Sequence, residues 1–206
     1  MWQEEKMPRT ERKKSAGRTL IAVGAVLLLA ALALTLYNRW DARRADRAAQ
    51  ATVGRLEDEL PDTPSIYPRQ LDTMPTVEID GERYIGILTI PELGLKLPVM
   101  DDWDYEKLTI SPCRYAGSYL TDDLVIAAHN YDRHFSPIKW ISPNTDVYFT
   151  NVEGTVYHYI VDNVETLQPT QVEQMITGDW ALTMFTCHTG GRTRCAVRCI
   201  KAEGQW

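Results

Sequence analysis

The chain opens on a polar segment of mixed charge, residues 1–18, and then runs without a charge from 19 to 37 (TLIAVGAVLLLAALALTLY). At about 1.5 Å per residue a helix of that length spans roughly 28 Å, close to the ~30 Å hydrocarbon core of a bilayer. The pattern predicts a transmembrane signal-anchor. A cleaved signal peptide competes with it, since Ala31 and Ala33 offer small residues, but the apolar run continues past both. Residues 38–60 are rich in Ala and Arg, lack proline and end in Glu57-Asp58-Glu59. They predict an exposed helix acting as a solvated spacer. Pro61, Pro64, Pro68 and Pro75 follow within a stretch too polar for a strand. That stretch predicts an extended linker, with a domain boundary near Thr76.

Beyond the boundary the period changes to that of short strands. Residues 84–90 (YIGILTI) and 95–100 (LKLPVM) flank a turn at Pro91-Glu92-Leu93-Gly94. Further strands are expected at 124–128, 146–150 and 155–166, the last two joined as a hairpin around 151–154 (NVEG). Residues 104–108 predict one helical turn. Residues 170–177 predict a short helix capped by Thr170. Two more strands close the chain, 181–186 and 194–200. About eight short strands with few helices predict a closed β-barrel or a sandwich. No internal repeat or low-complexity segment interrupts the pattern.

Charge sharpens this division. The formal net charge is -6. Residues 1–60 hold 11 basic and 8 acidic residues, net +3, and the remainder holds 11 and 20, net −9. The basic part surrounds the apolar run and the acidic part is the folded domain, so nothing points to a nucleic-acid partner. Basic residues flank both ends of the apolar run, so charge alone orients it weakly.

The candidate chemistry lies in residues 180–198, WALTMFTCHTGGRTRCAVR. Cys187 ends one strand, Gly190 and Gly191 make a tight loop, and the next strand alternates, with Arg194, Ala196 and Arg198 on one face. A nucleophilic thiol needs a neighbour that favours its anion or takes its proton. An arginine supplies charge and an oxyanion donor. Arg192, Arg194 and Arg198 all follow the cysteine. Arg194 and Arg198 share a face, and nearness to the loop favours Arg194. The histidine is found upstream, in 123–130 (DLVIAAHN), where His129 and Asn130 follow a short apolar strand. His188 adjoins the cysteine but points to the opposite face. His134 and His158 read as packing or surface residues.

A strand ending in Thr-Cys (LTMFTC), an Arg opening the next strand and an upstream strand ending in AHN resemble the sortases. These are cysteine transpeptidases that anchor proteins to Gram-positive cell walls or polymerise pilins. The resemblance covers roughly residues 77–203, with Ala128 where the family often has glycine; the subclass is B-like or D-like. It implies a closed eight-stranded barrel with short helices. It implies Cys187 as nucleophile, His129 as acid and base, and Arg194 as substrate or oxyanion donor. Thr186 and Asn130 are the implied substrate-binding neighbours. The implied partners are secreted proteins with a C-terminal LPxTG-like sorting signal and a peptidoglycan-precursor or pilin amine. With the N-terminus inside, the domains read as a cytoplasmic segment 1–18, a membrane span 19–37, a juxtamembrane helix and linker 38–76 and an extracellular catalytic domain 77–206.

Cys113, Cys195 and Cys199 are expected to be buried free thiols. Cys195 and Cys199 lie about 13 Å apart along one strand, too far to pair with each other. A zinc site from Cys187, His188, Cys195 and Cys199 lacks the usual ligand spacing. No cofactor is implied, the acidic residues fall at no calcium-loop spacing, and there is no C-x-x-C redox motif. Two other functions fit the same residues: an extracytoplasmic cysteine peptidase that resolves the thioester with water, and a silent, membrane-tethered β-barrel binding module.

Overall fold

The computed structural model describes residues 9–61 and 73–203. Most of the 61–75 linker and the outer part of the 1–18 segment lie outside the described residues. The chain forms two compact units, Met1–Asp41 and Ala42–Trp206. One helix, α1 (Arg9–Glu59), contributes to both.

In the first unit α1 carries the apolar run with its side chains exposed; Leu20 is 78% and Leu28 74% accessible. The helix is long and apolar enough to cross a membrane, with a mean hydropathy of 2.6 over its most apolar window.

In the second unit α1 is not a solvated spacer. Ala45, Ala49, Val53 and Leu56, spaced four, four and three apart, form a buried stripe on one helical face. Ala49 joins the main core of the domain. Val53 and Leu56 pack with Ile79, Tyr84, Ile87, Met100 and Cys113. Gln50 donates to the Lys96 carbonyl at 3.0 Å, and Arg55–Asp80 and Lys96–Glu57 pair at the rim. The stripe escapes a reading of the sequence because two of its members are alanine, which marks an apolar face only weakly.

Nine strands are found among the described residues: β1 (Val77–Ile79), β2 (Glu82–Ile90), β3 (Leu95–Met100), β4 (Cys113–Ala116), β5 (Leu124–Ala127), β6 (Asp146–Asn151), β7 (Val156–Leu167), β8 (Leu182–Cys187) and β9 (Arg194–Lys201). The ring runs β2-β3-β4-β5-β8-β9-β7-β6 and closes where β6 pairs antiparallel with β2. It is a closed eight-stranded barrel, with β1 added as a short hairpin partner outside the ring. Closure brings the backbones close at Gly86. A Cβ there would lie 2.2 Å from the Thr150 carbonyl oxygen, so only glycine fits the seam.

Alternation fills the barrel. Ile85, Leu88, Ile90, Leu97, Leu124, Ile126 and Phe149 are fully buried. β1 and β4 are absent from the sequence expectation. They are three and four residues long, too short to show a period. The 151–154 hairpin is present, with Asn151 Oδ1 accepting from the backbone N–H of Glu153 and Thr155. The expected helical turn is a 3₁₀ turn at Lys107–Thr109. The expected short helix is α2 (Val172–Ile176); Gln171, not Thr170, stands at its N-cap, without a side-chain cap bond.

Candidate active site

β8 lies between β5 and β9, parallel to the first and antiparallel to the second. In the β8–β9 register Cys187 faces Arg194 directly. The six residues between them fold back on themselves: His188 N–H donates to Thr193 O at 2.9 Å and Gly191 N–H to His188 O at 2.8 Å. Gly190 and Gly191 take positive φ of 85° and 70°, as this tight return requires.

On the other side of β8, Ala127 pairs with Phe185. Ala128 N–H donates to Phe185 O at 3.1 Å, and Thr186 Oγ1 donates to Ala128 O at 2.8 Å. Extending the register by two residues sets His129 level with Cys187. The β8–β9 pairing thus sets Cys187 opposite Arg194, and His129 follows the end of the neighbouring strand β5 by two residues.

The side chains differ in their commitments. His129 is exposed and stacks on Tyr131 with centroids 4.3 Å apart and planes 4° from parallel. Its Nδ1 accepts the Asn130 backbone N–H at 3.1 Å, which in the neutral ring leaves the proton on Nε2. Asn130 Oδ1 accepts from Lys139 Nζ at 2.6 Å. Thr186 alternates with Cys187 and is buried at 1% accessibility, its hydroxyl spent on the joint with β5. Cys187 is half-buried. Arg194 is half-buried and donates from Nη1 to Gly191 O at 2.9 Å and Thr193 O at 3.3 Å, lying over the loop.

Arg198, the other arginine on that face, is 2% accessible and fully engaged. It bonds Glu165, Thr183 and the carbonyls of Gln174 and Met175. Burial, which strand parity cannot report, thus separates the two arginines.

A groove of ≈ 280 Å³ opens beside Cys187, Arg194 and Thr186. Trp103, Tyr115 and Phe185 line it, with Tyr115 in ring contact with the other two, and Val172 and Met175 of α2 line it as well. Ala127 and Ala128 line it; His129 and Asn130 follow them beyond the lining. The aromatic part of the lining is missed by sequence reasoning. Trp103 and Tyr115 belong to a loop and to the four-residue β4, where no period singles them out.

The remaining thiols are free and buried. Desolvation pushes Cys113 up to about 12 and raises Cys195 and Cys199 as well, so all three stay protonated at neutral pH. Cys195 and Cys199 alternate with Arg194 and Arg198, which puts them on the opposite face of β9 from Cys187's partner.

The family model of the Sortase domain matches residues 88–202, more than half of the chain. The chain belongs to the sortase family. Among solved structures, this sortase is similar to the pilus-related sortase C of Group B Streptococcus (TM-score 0.54, 22% identity, 81% of this chain and 91% of that one). It is also similar to sortase A from Corynebacterium diphtheriae (0.54, 18%, 59% and 62%) and to a Clostridium perfringens sortase D5 transpeptidase (0.52, 15%, 58% and 79%). These likenesses concern the fold, which sortases A, C and D share. No match is found among curated protein sequences.

Proposed function

We propose that this sortase is a membrane-anchored cysteine transpeptidase that cleaves an LPxTG-like sorting signal through a Cys187 thioester and passes the acyl group to a cell-wall or pilin amine. What supports the reading is the pairing of Cys187 with Arg194 across β8 and β9, beside a groove, with His129 two residues past the end of the neighbouring strand β5. α1 supplies the anchor, with the catalytic unit outside the cell.

The steps follow from the residues. The Cys187 sulfur, as thiolate, attacks the scissile carbonyl. The tetrahedral oxyanion develops beside Arg194, whose guanidinium is fixed over the loop and offers N–H groups and charge. Collapse breaks the C–N bond, and protonated His129 gives its proton to the leaving amine. The thioester remains. An acceptor amine then attacks it while His129 takes the amine's proton, and collapse releases Cys187 with a new amide bond. The apolar groove lies alongside to hold the acyl-donor segment. Thr186 supports β8 against β5, and Asn130 with Lys139 borders the imidazole.

The test uses the full chain in mild detergent, an LPxTG-type peptide library and an oligoglycine amine, read by mass spectrometry. A ligated product and a thioester adduct are expected, both lost in Cys187→Ala and in His129→Ala. Hydrolysis that no amine diverts would identify a peptidase instead. A folded protein with no adduct on Cys187 from any peptide would favour a binding module.

A further inference from the structure

Arg198 is not used by the chemistry above, yet it is the most heavily engaged side chain near the site. From β9 its guanidinium reaches two further strands and a helix. Nε donates to Glu165 Oε1 on β7 at 2.6 Å. Nη1 donates to Thr183 Oγ1 on β8 at 3.0 Å and to Met175 O at 3.0 Å. Nη2 donates to Gln174 O at 2.6 Å. Both carbonyls belong to α2, a helix of five residues.

A helix of one turn does not hold itself, because nucleation costs more than so few bonds return. Its last carbonyls also need partners that the helix cannot supply. A buried cation at the C-terminal end answers both needs and complements the helix dipole. α2 otherwise has a single buried side chain, Met175, within a small cluster of Val125, Leu167 and Ala196 against which Tyr115, Ala116 and Phe185 pack. Val172 and Met175 of this helix line the groove beside Cys187. Arg198 itself is absent from the groove's lining.

We propose that Arg198 is a positioning residue for acyl-donor binding: it clamps α2 to the barrel and so fixes where Val172 and Met175 stand in the lining of the groove. Arg198 touches neither substrate nor reacting atoms, and its effect falls on substrate binding rather than on the chemical step. The inference rests on the transpeptidase reading for its kinetic consequence, while the clamp is a property of the fold alone.

Two readouts on the full chain in detergent test it. Hydrogen exchange is followed by mass spectrometry across residues 168–178 and, as reference, across β8 and β9. Transfer kinetics are measured with a productive LPxTG-type peptide and oligoglycine. Losing the charged bonds to α2 in Arg198→Met raises KM by about ten-fold with kcat nearly unchanged. Exchange in 168–178 rises while β8 and β9 keep their protection. Arg198→Lys, which retains the charge but not the fork, restores part of KM. Glu165→Gln, at a more exposed position that tolerates change, moves both readouts in the same direction by a smaller factor. Unchanged exchange in 168–178 in Arg198→Met and Glu165→Gln overturns the clamp. A loss confined to kcat overturns the assignment to substrate binding, as does exchange that rises equally throughout the barrel. Absence of transfer in the unaltered protein refutes the transpeptidase reading, and the exchange result still decides the clamp.

Discussion

Cys187 differs from the other three thiols in access. Cys113, Cys195 and Cys199 are buried and held protonated by desolvation, whereas Cys187 stands half-open at the groove. A thiol-specific reagent at neutral pH therefore labels one cysteine in the native protein and four in denaturant; mass mapping should place the single label on Cys187. His134 has the opposite character. It is fully buried, neither ring nitrogen has a hydrogen-bond partner among the described residues, and burial lowers its pKa from 6.5 to about 4. Between those values the unfolded chain binds a proton that the folded chain refuses. Stability is therefore complete above about pH 6.5 and falls as pH drops towards 4, by roughly 3 kcal/mol in all. Urea titrations at pH 7 and 4.5 should show this loss, and His134→Phe should flatten it. At this scale the sequence was informative about identity and silent about environment. Cys187, His129 and Arg194 stand in legible motifs. That Thr186 turns inward, or that Arg198 is clamped, depends on burial by elements far away in the chain.

Among the elements, the C-terminal part of α1 was the least legible. Its arginines and alanines suggest solvent, yet Leu56 is 1% accessible and sits against Ile79, Tyr84 and Met100. Leu56→Ala should cost about 2–5 kcal/mol, read as a shifted denaturation midpoint without a change of slope. The seam between β2 and β6 gives a second expectation. At Gly86 an added methyl meets the Thr150 carbonyl, so Gly86→Ala should destabilise the barrel more than an ordinary strand substitution does, in the same titration. The strands with six or more residues were legible because alternation has room to show itself. β1 and β4 were not, since their pairing is set by neighbours rather than by their own pattern.

For the whole molecule, the position of α1 decides what part of the chain stands alone. The compact unit begins at Ala42, not near Thr76. A fragment starting at Ala42 should melt at a higher temperature than one starting at Val77, because the shorter one exposes the surface covered by Ala49, Val53 and Leu56. Scanning calorimetry of the two checks this, and equal melting temperatures would contradict it. The barrel itself followed from the count of short strands together with the family motifs. Closure was expected from the resemblance alone; the strands that close it were not legible, because the β2–β6 pairing joins segments about sixty residues apart, and no local pattern records a partner at that range.

The parallel joint between β5 and β8 also bears on the order of events during folding. Leu124 meets Leu182 only after the intervening chain, with β6 and β7, has looped out and returned. Such long-range pairings form slowly, because the entropy of closing the loop is lost before any contact compensates it. Cys187 thus reaches its place through one of the least local pairings in the domain. A half-folded chain carries the cysteine without its neighbours, so reactivity matures with the barrel as a late, whole-domain event, and the growth of selective Cys187 labelling during refolding would time that final step.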